Sequence, residues 1–267
     1  MIRPLILLCA LFAAHVASAQ NAALSAKEKF HLILLVGQSN MAGRGTVEEQ
    51  DKTPHPRVLM LNKVNEWVPA IDPLHFDKAA AGVGLGKTFA TLYAEAHPGI
   101  TVGLIPCAVG GSPIDTWKAG AFYAGTKTHP WDDAMPRAKL AQKSGTIVGI
   151  LWHQGESDSN EKLAPGYEAK LHDLIARMRK ELGVPEVPFV VGQTGKFPDA
   201  PWNDAKVQVD KVDKGHQDLP KKVPDTAFVS AEGLKHRGDK VHFDSPSCRE
   251  FGKRYYGAFQ SLAKAAK

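Results

Sequence analysis

Cysteine is scarce in this chain, with three in 267 residues: Cys9, Cys107 and Cys248. No H-E-x-x-H or Cys/His ligand spacing accompanies them, so no zinc framework is expected and the reading assigns no metal or cofactor. Charge of one sign never accumulates. Lys+Arg 33 against Asp+Glu 28 leaves a formal +5, but no five like charges stand together. A dedicated nucleic-acid arm is therefore excluded. Repeats and low-complexity tracts are absent. At 43% hydrophobic and 23% charged, the composition is that of a globular protein and not of a disordered, collagenous or coiled-coil chain. Beyond the first twenty positions no second long apolar run occurs.

Those first twenty positions look like an export signal. Arg3 supplies a positive start, Leu5–Ala14 is an apolar run, and Ala17-Ser18-Ala19 has the small-x-small form of a cleavage site. The run is shorter than the roughly 20 apolar residues a membrane anchor needs. Residues 20–267 are thus expected as one exported domain, periplasmic or secreted, beginning at Gln20 and without stable membrane association. Cys9 leaves with the signal. Cys107 and Cys248 remain, either paired in an oxidising compartment or as two buried thiols, and spacing alone does not choose.

What the chain does contain is an alternation of apolar runs with helix-period segments, the signature of an α/β fold with a parallel sheet wrapped by helices. The runs are His31–Val36, Val58–Leu61, Thr101–Ile105, Ile147–Trp152, Phe189–Val191 and Ala227–Val229. They are continuously apolar, as strands buried on both faces should be. Tyr167, Leu171, Leu174, Ile175, Met178 and Leu182 form one helical stripe, ended by Gly183 and Pro185. Gly86–Ala96 reads as a second helix stopped before Pro98, and the last helix runs roughly from Pro246 to Ala265. Lys196–Lys222, with Trp202 and a weak Val207/Val212 pattern, reads as a surface helix with loops.

In such a sheet, ligands bind beyond the carboxyl ends of the strands. There the sequence places Gly37-Gln38-Ser39-Asn40-Met41-Ala42-Gly43, Pro106-Cys107-Ala108-Val109-Gly110-Gly111-Ser112 and His153-Gln154-Gly155-Glu156-Ser157-Asp158, followed near the C-terminus by Gly238-Asp239-Lys240-Val241-His242-Phe243-Asp244. Together these supply the parts of an acyl-transfer site. Ser39 is the candidate nucleophile, since a hydroxyl after a strand is presented to a base; the plainer role is an N-cap. His242 is the candidate base. Asp239, three residues earlier, reaches the same imidazole across a tight turn and fixes its tautomer. The Ser39 and Gly110-Gly111 N–H groups and the Gln154 carboxamide are candidate oxyanion donors. Gln154 and Glu156 follow a very apolar strand, so they are either functional or part of a buried polar knot.

Other motifs fall short. Gly82-Val83-Gly84-Leu85-Gly86-Lys87 lacks the spacing of a phosphate loop, and Ser39 does not sit in a G-x-S-x-G elbow. Trp67, Trp117, Trp131, Trp152 and Trp202 include candidate sugar platforms, although most tryptophans pack in cores.

At its four blocks the sequence resembles the SGNH-type hydrolases, specifically the sialate O-acetylesterase/acetylxylan esterase group, carbohydrate esterase family six. The likeness runs from about His31 to Tyr256. It implies a three-layer flavodoxin-like fold and a metal-free serine esterase that releases acetate from decorated sugars. Carried onto this chain, Ser39 is nucleophile, His242 base and Asp239 its orienting acid, with Ser39, Gly111 and Gln154 lining the oxyanion hole. Gln154 replaces the Asn usual in the wider group. Glu156 resembles the family's catalytic carboxylate as well and is ranked second to Asp239. Arg44 and Trp117 fall where substrate contacts are expected. A silent sugar-binding module and a lipase-like enzyme remain the alternatives; the latter would want a long apolar acyl groove.

Overall fold

The structure is a computed structural model that describes residues 24–197 and 206–265. The expected export signal and Trp202 lie outside these residues. Seven strands follow in chain order: β1 (Phe30–Gly37), β2 (Val58–Leu61), β3 (Trp67–Pro69), β4 (Thr101–Pro106), β5 (Thr146–His153), β6 (Phe189–Gly192) and β7 (Thr226–Val229). Seven helices accompany them: α1 (Ser39–Ala42), α2 (Glu49–Lys52), α3 (Gly86–Ala96), α4 (Pro130–Ala141), α5 (Tyr167–Leu182), α6 (Lys206–Lys222) and α7 (Ser245–Ala265).

The strands form one sheet in the order β3-β2-β4-β1-β5-β6-β7. All neighbours run parallel except the β2–β3 hairpin, so the expected parallel sheet carries one antiparallel edge strand. Without that hairpin, β4-β1-β5-β6-β7 is the 2-1-3-4-5 order of the flavodoxin type. β3 escapes sequence reading because three half-buried or exposed residues make no period. The same holds for α4, whose internal Pro136 argues against a helix. Pro130 in its first turn and Asp132 and Asp133 beside it start that helix all the same.

Continuous apolar strands make sense because side chains alternate between two cores. Leu32, Leu34 and Val36 of β1 join a core built with α4, α5 and α6, whereas Ile33 and Leu35 join the core under α3 and α7. The stripe of α5 is buried from Tyr167 to Leu182, and Gly183 closes the helix in the left-handed conformation. On α6, Val212 is fully buried. Cys107 packs on the α4–α6 side and Cys248 on the other; both thiols are free, and burial pushes each up to about 12. Among the described residues no helix is long and apolar enough to cross a membrane.

Trp117 requires a correction. It was expected to touch substrate, but it is 0% exposed. Its indole N–H donates to Ser112 Oγ at 3.1 Å, and its ring meets Trp152 edge-on at 5.3 Å. It is a core residue beneath the site. Trp117→Ala should therefore destabilise the protein by about 3–5 kcal/mol in a denaturant titration.

Candidate active site

β1 is the strand at which the winding reverses, and such a switch point opens a crevice at the carboxyl end. Its last residue, Gly37, has φ +127°, and a Cβ there would lie 2.2 Å from the His153 carbonyl oxygen. Only glycine permits this approach. The Gln38 N–H then donates to that same carbonyl at 2.9 Å. The end of β1 is thereby joined to the end of β5, and α1 begins at once with Ser39.

A cavity of about 500 Å³ lies over this junction, lined among others by Ser39, Gly111, Glu156, Asp239 and His242. Ser39 Oγ is 3.0 Å from His242 Nε2. His242 Nδ1 is 2.8 Å from Asp239 Oδ2. The other carboxylate oxygen, Oδ1, accepts the N–H groups of Val241 and His242 at 3.0 and 2.8 Å, which closes the turn that sequence spacing suggested. Partial burial pushes the Asp239 carboxyl up, but the bonds it accepts from His242 and Val241 outweigh this and hold it below the usual carboxylate range. It stays ionised wherever a histidine base can work.

Glu156 is placed differently. Its Oε1 accepts the Asn40 amide at 2.6 Å and lies 3.6 Å from His153 Nε2. Among the described residues no hydrogen bond joins it to His242. Burial pushes its carboxyl up, and the His153 and Asn40 contacts bring it below the ordinary value. Asn40, in turn, donates to the Val241 carbonyl at 3.2 Å and accepts the Phe243 N–H at 3.2 Å. Glu156 therefore holds Asn40, and Asn40 ties the nucleophile's helix to the backbone on either side of His242.

Two expected oxyanion donors are already engaged. The Gly110 N–H donates to Asp77 Oδ2 at 2.8 Å. The Gln154 side chain is 0% exposed and its amide nitrogen faces Gln38 Oε1, Ser112 O and Asp158 Oδ2 at 3.1, 3.2 and 2.5 Å. Its own oxygen accepts from Tyr167 Oη at 2.9 Å. Gln154 thus belongs to the buried polar knot. Ser39 and Gly111 remain. Ser39 opens α1, so its N–H has no intrahelical acceptor; Gly111, at φ +86°, has an N–H with no acceptor among the described residues.

Arg44 lines the cavity as expected, although it is 5% exposed and held by Asp77 at 2.6 Å. Sequence reading missed Asp77, which fixes Arg44 and Gly110 together; it stands in a long aperiodic loop with no motif around it. Gln38, Lys78, Ser157 and Arg237 also line the cavity. The Gly82–Gly84 stretch, resembling a phosphate loop only superficially, instead bridges to Gly45. Among the described residues no group of His, Cys, Asp and Glu is arranged to hold a metal ion.

A profile of the family described as "Carbohydrate esterase, sialic acid-specific acetylesterase" matches residues 29–261. The chain belongs to this family of carbohydrate esterases. A probable carbohydrate esterase of Arabidopsis thaliana is 29% identical over 254 residues, 86% of this chain and 90% of the relative. An X-ray structure of an Arabidopsis thaliana protein superposes with a TM-score of 0.74 at 28% identity, covering 86% of this chain and 98% of that one. NanS shares the fold, with a TM-score of 0.72 at 16% identity over 90% of this chain and 99% of its own.

Within this esterase family member the two carboxylates separate by experiment. Asp239→Asn should lower kcat by about 10²–10⁴-fold. Glu156→Gln keeps an acceptor for Asn40 and should cost less than about tenfold. Equal losses in steady-state kinetics would remove Asp239 from the orienting role.

Proposed function

We propose that this carbohydrate esterase removes O-acetyl groups from decorated sugars by serine catalysis, through an acetyl-enzyme. The observation that carries the reading is the Ser39–His242–Asp239 chain, with contacts of 3.0 and 2.8 Å. Ser39 Oγ attacks the acetyl carbonyl carbon while its proton passes to His242 Nε2. Asp239 holds the ring in the tautomer that leaves Nε2 open and stabilises the imidazolium that forms. The negative oxygen of the tetrahedral intermediate is met by the N–H groups of Ser39 and Gly111. When the intermediate collapses, the bond to the sugar oxygen breaks and His242 returns the proton to that oxygen. Water then attacks the acetyl-enzyme with His242 again as base, and acetate leaves with Ser39 restored.

The acetylated carbohydrate as substrate is supported by the family together with a cavity whose lining includes the cationic side chains Arg44, Lys78 and Arg237. Such a lining disfavours a lipase-like enzyme, and a complete serine–histidine–aspartate set disfavours a silent binding module. Export belongs to the same proposal and rests on Arg3, Leu5–Ala14 and Ala17-Ser18-Ala19. Protein recovered from outside the cytoplasm should begin at Gln20 on N-terminal sequencing; an intact Met1 there would count against cleavage.

The deciding experiment measures acetate release from acetylated xylan and an O-acetylated sialic acid, with 4-nitrophenyl acetate as the general ester. Ser39→Ala should reduce release by at least about 10³-fold while circular dichroism stays unchanged. Retention of a tenth of the rate in Ser39→Ala would sink the serine mechanism.

A further inference from the structure

The segment from His75 to Lys78 separates two cavities. Lys78 lines the one over Ser39, whereas His75 and Phe76 line a neighbour of about 420 Å³. Asp77 is common to both: it lines the second cavity, and its carboxylate holds Arg44 and the Gly110 N–H at the edge of the first. Asp77 thus links the two cavities, whereas Phe76 lines the second alone. The volume falls within the range of small-molecule sites.

We propose that this neighbouring cavity is a second sugar subsite, which takes the ring next to the acetylated one in a glycan chain. The inference rests on the esterase reading above. A pyranose ring offers an apolar C–H face surrounded by hydroxyls, and the cavity is built for that combination. Its floor is apolar, with Pro106, Ala108 and Val109 at the end of β4 and Ala134 from α4. Phe76 is 39% exposed, with the Arg137 guanidinium 4.9 Å from its ring centroid. Thr126, Thr128 and Asp133 contribute hydroxyl and carboxylate groups to the lining.

His75 lines the same cavity. It is 4% exposed, and its Nε2 is buried without a hydrogen-bond partner. Burial pushes its imidazole down to about 4, against the pull of Asp77, so the ring is neutral. Lys63 and Arg137 share the lining with Asp77 and Asp133, so the wall carries both signs of charge beside its two threonine hydroxyls. An acyl chain would leave these groups without a partner.

The test compares wild type, Phe76→Ala and Phe76→Trp on short and long forms of the same acetylated sugar. The pairs are acetylated xylose with acetylated xylotetraose, and O-acetylated sialic acid with its sialyllactose. Wild type should favour the longer member of one pair by at least about tenfold in kcat/KM. Phe76→Ala should erase that preference through KM, with the short sugar and 4-nitrophenyl acetate turned over as before, and Phe76→Trp should keep it. Three results overturn the subsite alone while the esterase stands: activity without preference for the longer glycan in either pair, equal losses on every substrate in Phe76→Ala, or a preference for 4-nitrophenyl octanoate over the acetate. Wild type inactive on 4-nitrophenyl acetate and on all four sugars would bring down the esterase reading itself.

Discussion

Where β1 ends, the Gly37 backbone lies so close to the His153 carbonyl that no side chain fits between them, and the next N–H donates to that carbonyl. Two central strands, each buried on both faces, are thus joined at their carboxyl ends. Ser39 follows this junction by one residue and the Gln154–Asp158 turn follows it on the other strand. Ser39 is placed by the sheet, through backbone, and not by the loop in which it sits. Rigid elements hold reacting groups to tighter tolerances than loops do.

Behind Ser39 the sheet end is filled by a hydrogen-bonded set of polar groups, in which Asp158 Oδ1 and His216 Nδ1 lack a hydrogen-bond partner among the described residues. Gln154 faces Asp158 and Tyr167, Tyr167 Oη is 2.9 Å from His216 Nε2, and Asp158 accepts the Ile114 N–H at 2.8 Å. Burial raises the Asp158 carboxyl in spite of those bonds. Such a network is favourable only when nearly every member is paired. It sets the spacing between the β4 and β5 loops from below, and the loops carry Gly111 and Glu156 above it.

Much of this was legible in the sequence. Six strands and three of the helices that line the cores, α3, α5 and α7, announce themselves because burial on two faces, or along one stripe, leaves a periodic trace. The grouping of Ser39, Asp239 and His242 was legible because the carboxylate and the imidazole sit three residues apart and the serine follows a strand. The failures share a cause. Gln154 and Gly110 stand in the right blocks and Trp117 just beyond one, but whether a polar or aromatic group faces the cavity or turns into the core depends on partners distant in sequence: Tyr167, Asp77 and Trp152. Asp77 itself leaves no trace, since a single carboxylate in an aperiodic loop has no local pattern to betray it.

Asp239 and His242 lie on a loop that closes on itself: the Arg237 N–H donates to the His242 carbonyl and the Asp244 N–H to that of Lys235. Asp239 and His242 are therefore a single heritable piece, assembled from ten consecutive residues, whereas Ser39 comes from the far end of the chain. A crossover that exchanged the piece whole would carry the pair intact, and the graft would need to match its new host at the Asn40 tie, at the Arg44 carbonyl that Arg237 reaches, in the aromatic packing of Phe243 and at the reach to Ser39 Oγ.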